Sequence, residues 1–136
     1  MDDTLKALNE CYRHEQTMIV RYVNYAVMVG GIDRLHLNEL FLKSATDSMG
    51  HAGKVGAKIV ALGGVPQGKV AEDLSIVPGD ALKMLEQALK DEEAAVKLYD
   101  LAIPLAKKDL ALRELLVHIL KDEQEGVDEL KMLLKK

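Results

Sequence analysis

Helical periodicity runs through nearly all of this sequence and breaks once for a long way, between Gly63 and Pro78. On either side of that break lie two helical segments separated only by short turns. The first runs from about Thr4 to Val29 and stops at Gly30-Gly31, a helix-ending signal. The second starts at Asp33, a residue type suited to an N-cap, and runs to about Leu62. The third follows Pro78-Gly79-Asp80, with Asp80 as its N-cap, and Pro104 ends it near Ile103. The fourth begins near Asp109 and continues almost to Lys136. Helices of about 25–30 residues are about 40 Å long at 1.5 Å per residue. The short turns make each flanking pair an antiparallel hairpin. The break itself, fully extended, spans about 50 Å, the height of the whole assembly. A simple up-down-up-down arrangement needs only about 2–8 residues there. The expected architecture is therefore all-α: a single-domain four-helix bundle over residues 1–136 with one long crossover between helices 2 and 3.

Composition agrees. Of 136 residues, 49% are hydrophobic but only 4% aromatic, so the core must be built from aliphatic residues that suit helices. The formal net charge is −4 and no basic stripe stands out, which argues against nucleic-acid binding. No apolar run approaches the roughly 18 residues of a membrane span. The start Met1-Asp2-Asp3 lacks a basic-then-apolar leader, and a cytoplasmic location is the expectation. Cys11 is the lone cysteine, which excludes an internal disulfide or a CxxC motif and reads as a small core residue.

Each helix carries a charged group within its apolar stripe. Helix 1 aligns Leu8, Cys11, Ile19, Tyr22, Ala26 and Val29 around Glu15. Helix 2 turns Val55 and Leu62 inward with Asp47, Ser48 and His51 among them. Helix 3 centres Leu85, Ala88, Val96, Tyr99 and Ile103 on Glu92, and helix 4 centres Leu116, Ile119, Val127 and Leu130 on Glu123. All four polar groups lie near mid-helix, so they fall in one layer. Burying an unpaired carboxylate costs several kcal/mol. Three together require shared protons, hydrogen bonds or a cation, and carboxylates with an imidazole suit iron or manganese, with zinc also admissible. The hairpins repeat one another too: a Tyr follows Glu15 and Glu92 by two helical turns, at Tyr22 and Tyr99. Each Tyr could bond a carboxylate or simply pack. His14, His36 and His118 fall off the stripe as surface or edge residues. The charged runs Lys90 to Glu93 and Lys121 to Glu125 read as mostly solvated faces apart from Glu92 and Glu123.

With these residues in place, the sequence resembles the ferritin-like superfamily, and most closely the bacterioferritins. Leu8-Asn9 through Glu15 to Tyr22, Met49-Gly50-His51-Ala52, Ile59 to Pro66, Glu92 with Ala95 and Tyr99, and Ile119 to Glu123 carry the resemblance. It implies a ferritin-like bundle with left-handed twist and a di-iron centre that oxidises Fe(II) for iron storage or detoxification. It also implies metal ligation by Glu15, His51, Glu92 and Glu123. The family pattern has Glu-x-x-His on helices 2 and 4. Here Ser48 stands at the first Glu position and Gly126 at the second His position. Asp47, beside Ser48, is a candidate substitute ligand. One metal, a weak pair or a relict polar core are the alternatives. The chain stops at Met132 to Lys136 without the short fifth helix of 24-subunit cages, so a dimer or smaller shell is expected.

Helix 2 also carries an uncharged second face, Met49, Gly53, Gly56 and Val60, expected to meet solvent in a lone bundle and to form a homodimer across helix 2. Met49 falls where bacterioferritins present a Met to haem, so haem at that interface is implied, with an ordinary interface Met as the plainer reading. Two functions follow. One is an iron-binding, ferroxidase-like protein. The other is a non-catalytic dimer module with a degenerate metal site, binding haem or a partner through the helix-2 face.

Overall fold

The computed structural model describes residues 2–70 and 78–135. Among them are four long helices and no strand: α1 (Asp3–Met28), α2 (Arg34–Ala61), α3 (Ala81–Ala102) and α4 (Leu110–Leu133). Asp2, Asp80 and Asp109 cap α1, α3 and α4, each side chain accepting the N–H of the residue three positions on. Asp33 precedes α2 without making such a bond. The first turn after α1 closes on Gly31 at φ 93°, a left-handed conformation that a side chain would strain. Pro104 lacks the N–H that would extend α3, and the chain tightens into a 3-10 turn over Ile103–Ala106 before α4.

The crossover begins as a strap along α1. Asn9, buried, donates to the Val65 carbonyl (3.3 Å) and accepts from the Gln67 N–H (2.9 Å). Further along α1, Gln16 accepts from the Lys69 N–H at 3.1 Å. A Cβ on Gly64 would stand 2.8 Å from Leu5, near the start of α1, and Gly79 packs 3.7 Å from the ideal Cβ position of Gly30 at its other end. The connection therefore traverses the length of the bundle, as the length of the break requires; residues 71–77 lie outside the described residues.

Backbones pack closest for α1 with α2, α3 with α4, and α1 with α3, whereas α2 and α4 lie farther apart and meet through side chains such as His51 with Asp122 and Glu123. The core joins Leu8, Met18, Phe41, Val55, Ile59, Met84, Leu112, Leu116 and Ile119, all nearly inaccessible. Each such side chain contributes roughly 1.5–3 kcal/mol by leaving water. Ile19, Val96 and Ile103, placed in the stripes, are only half-buried, and Leu62 is exposed at the end of α2. Gly56 is a correction: it does not face solvent but lies under Tyr12, whose Cε1 would be 2.9 Å from a Cβ there. Met49, Gly53 and Val60 are exposed as expected. Among the described residues no helix is long and apolar enough to cross a membrane.

Candidate metal centre

Mid-height in the bundle, each helix delivers one buried group: Glu15 from α1, His51 from α2, Glu92 from α3 and Glu123 from α4. Ligand atoms of Glu15, His51 and Glu123 all lie within 4.8 Å of one another, close enough to share one ion. The ring Nδ1 of His51 stands 2.9 Å from Glu123 Oε1 and 3.4 Å from Glu15 Oε2. Its Nε2 points outward and bonds Asp122 Oδ2 at 3.0 Å. Glu92 sits beside this group rather than in it. Its Oε1 accepts the Tyr22 hydroxyl at 2.5 Å, and the Glu123 carboxyl is close enough to act on its charge.

The two hairpins bond each other reciprocally. Tyr22 of α1 serves Glu92 of α3, and Tyr99 of α3 serves Glu15 of α1 through a 2.6 Å bond to Oε2. Glu15 Oε1 has no partner, the one buried side-chain N or O in that state among the described residues. Where the other described buried polar side chains are paired, such an oxygen is free to accept a donor or a cation.

The electrostatics show the same deficit. Burial opposes the His51 cation, but hydrogen bonds and charges from Glu123 and Glu15 outweigh burial and push it up to about 11. Burial, then the hydrogen bond and charge of Glu123, raise Glu92 to about 9, so it is a neutral acid at pH 7. Burial raises Glu123 as well. Protons on His51 and Glu92 thereby offset part of the buried negative charge.

The remaining candidates are placed as follows. Asp47 is exposed on the rim of α2 and pairs with Lys43 at 3.1 Å. Ser48 is buried at the site with a hydroxyl where a longer carboxylate would reach the centre. Met49 is 60% exposed, on the outer face of α2. Cys11 is buried one turn from Glu15, and burial pushes its thiol up to about 12, which makes it a core group rather than a nucleophile. A cavity of about 710 Å³ opens between α2 and α4 down to His51, Glu92 and Glu123, with Asp47, Asp122, Glu125 and Glu129 on its walls. The wider α2–α4 spacing and the small residues Ser48 and Gly126 leave that space.

One acidic residue expected on a mostly solvated face is not: Asp91 is buried, held by Arg21 at 2.6 Å and Gln87 at 3.0 Å. Asp122 keeps a side chain 41% exposed while it bonds His51. His14, an edge residue on the helical wheel, donates from Nε2 to the Asp91 carbonyl at 2.8 Å. The signal for Asp122 was its place next to Glu123 on the edge of the α4 stripe.

The ferritin-like domain profile matches residues 5–136. No curated protein matches. The crystal structure described as ferritin like, diiron-carboxylate proteins from Bacillus anthracis str. Ames is similar, with a TM-score of 0.85 and 31% identity; the match covers 99% of this chain and 100% of that one. The bundle with its long crossover, the carboxylate–histidine layer and these matches agree: the chain belongs to the ferritin-like family.

Proposed function

We propose that this protein takes up iron at Glu15, His51 and Glu123 and oxidises Fe(II) there, in iron storage or detoxification. The observation that carries the reading is the convergence of three buried donors around a carboxylate oxygen that nothing else satisfies. Carboxylate oxygens with one imidazole nitrogen fit Fe(II), and harder oxygen donors favour the ferric product. Iron supplies the redox chemistry, with dioxygen as electron acceptor. The chain's own part is to bind and orient. Tyr99 holds the Glu15 carboxylate, and Asp122 holds the outer ring nitrogen of His51 so that Nδ1 faces the ion. The acidic walls of the α2–α4 cavity draw cations toward the opening.

The test is an anaerobic Fe(II) titration of the metal-free protein, then admission of air while near-ultraviolet absorbance is followed. Saturable binding with ferric formation faster than in a Glu15→Ala control supports the reading. Binding or oxidation no greater than in that control overturns it.

The reading includes a homodimer. A shallow groove of about 450 Å³ between α1 and α2 is lined by Tyr12, Ile19, Met49, Ala57 and Val60, most of it apolar and facing outward. A second copy presenting the same surface about a twofold axis is the occupant that closed symmetry favours. The exposed thioether of Met49 makes haem the alternative ligand for that groove.

A further inference from the structure

We infer that each chain holds a single metal ion, on Glu15, His51 and Glu123, and that the Glu92 side of the core does not hold a second. The inference rests on the metal-binding reading above and fixes its stoichiometry. Four observations carry it.

The first is the donor set. Three ligand atoms converge within 4.8 Å, and Glu92 is not one of the three residues that supply them. Among the described residues no second group of three donors converges around Glu92, although Ser48, His36 and further carboxylates line the same cavity. A side without three convergent donors holds a divalent first-row metal poorly beside one that has them and an imidazole.

The second is the demand for charge. Glu92 receives the Tyr22 hydroxyl at 2.5 Å, and neither of its oxygens is both fully buried and without a partner. Glu15 Oε1 is the oxygen left without a partner. The core therefore lacks one cation contact, on the Glu15 side.

The third is the space at Gly126. A Cβ there would lie 3.1 Å from Glu92 Oε2 and 3.2 Å from Glu92 Cδ. The Glu92 carboxyl leans into the volume that a donor side chain at 126 would fill, and α4 supplies no ligand there.

The fourth is the broken internal symmetry. The hairpins are related by reciprocal Tyr–Glu bonds, so Asp47-Ser48 on α2 answers Asp122-Glu123 on α4, and His51 answers Gly126. Asp122 bonds the outer nitrogen of His51 at 3.0 Å. Its counterpart Asp47 has no imidazole to hold and turns to Lys43. The inner donors and the outer hydrogen bond have both gone from the same half, whereas the other half keeps both.

The experiment uses the full metal-free chain with Mn(II), by equilibrium dialysis with metal analysis and by electron paramagnetic resonance of the bound ion. One Mn(II) per chain, with the spectrum of an isolated ion, is expected. Glu92→Gln should keep Mn(II) affinity within about threefold, whereas Glu15→Gln should lose more than about 100-fold, beyond what loss of an outer hydrogen-bond partner costs. Circular dichroism confirms that each variant is folded. Two ions per chain, an exchange-coupled pair spectrum, or a Glu92→Gln loss equal to that of Glu15→Gln overturns the inference and leaves the metal-binding reading standing. Absence of any bound Mn(II) overturns the inference too, and Fe(II) titration then judges the reading separately. One bound Mn(II) without iron oxidation overturns only the oxidation.

Discussion

Tyr99 donates its hydroxyl to Glu15 across the α1–α3 contact at 2.6 Å, and the same bond recurs in reverse from Tyr22 to Glu92. Each phenol is buried and is kept protonated by burial and by the carboxylate it serves. Tyr99 is the close donor to Glu15 Oε2, with His51 Nδ1 farther off at 3.4 Å, and Oε1 has no partner. Tyr99→Phe should destabilise the metal-free protein by about 1–3 kcal/mol, the cost of leaving a buried acceptor unsatisfied. Saturating Mn(II) should recover part of that loss, since the ion takes over the carboxylate. Urea unfolding with and without Mn(II) measures both; equal losses in the two conditions would mean that the phenol does not act through Glu15.

Asp122 and Asp47 occupy matching positions in the two hairpins and should respond differently. Asp122→Asn weakens the bond that orients His51 and should lower metal affinity about 10–100-fold with the fold intact. Asp47→Asn breaks only an exposed pair with Lys43 and should leave affinity unchanged. Competitive titration against a chelator ranks the two variants. A larger effect at Asp47 would make that residue a ligand.

Stability of the metal-free protein should fall as pH rises from about 6.5 to 9. His51 has its pKa raised from 6.5 to about 11, so its contribution is complete below 6.5 and is lost as pH climbs toward the folded value. Glu92 has its pKa raised from 4.5 to about 9. The unfolded chain gives up that proton first, and stability declines from 4.5 until the folded carboxyl also ionises. Both slopes have the same sign between the two limits. Metal affinity runs the opposite way, because the ion must displace the His51 proton. Urea midpoints at pH 6.5 and pH 9, paired with Mn(II) titrations at each, check both signs.

The outer face of α1 and α2 should hold two chains together. Size-exclusion chromatography with light scattering is expected to show a dimer at micromolar concentration. Met49→Glu with Val60→Glu, placing charge in the groove, should yield a folded monomer. A monomeric unmodified protein would leave the groove to haem or another ligand, and a Soret band in the purified protein would then identify it.

Much of the fold was legible because its signals are local. Asp80 and Asp109 cap, Gly31 turns, Pro104 stops α3, and the length of the break calls for a crossover. The mid-helix stripe located Glu15, His51, Glu92 and Glu123 because a charge amid apolar neighbours stands out at helical period. The wheel could not tell which of the four converge. That depends on side-chain reach of a few ångströms and on Glu92 leaning toward Gly126. Asp91 was misplaced on the solvent side for a related reason. It lies a step of about 100° from its stripe, where a facing Arg21 decides its surroundings. Gly56 misled because a glycine on a helix shows nothing of the ring that covers it.

The wider backbone spacing of α2 and α4 gives the chain the build of a book, with its spine along α1–α3 and its fore-edge along α2–α4. Glu15 and His51 belong to one cover and Glu123 to the other. An ion bound as proposed would act as a clasp on that fore-edge. Its residence time is then set by how often the covers part, and filling the site should quiet that motion across both hairpins at once.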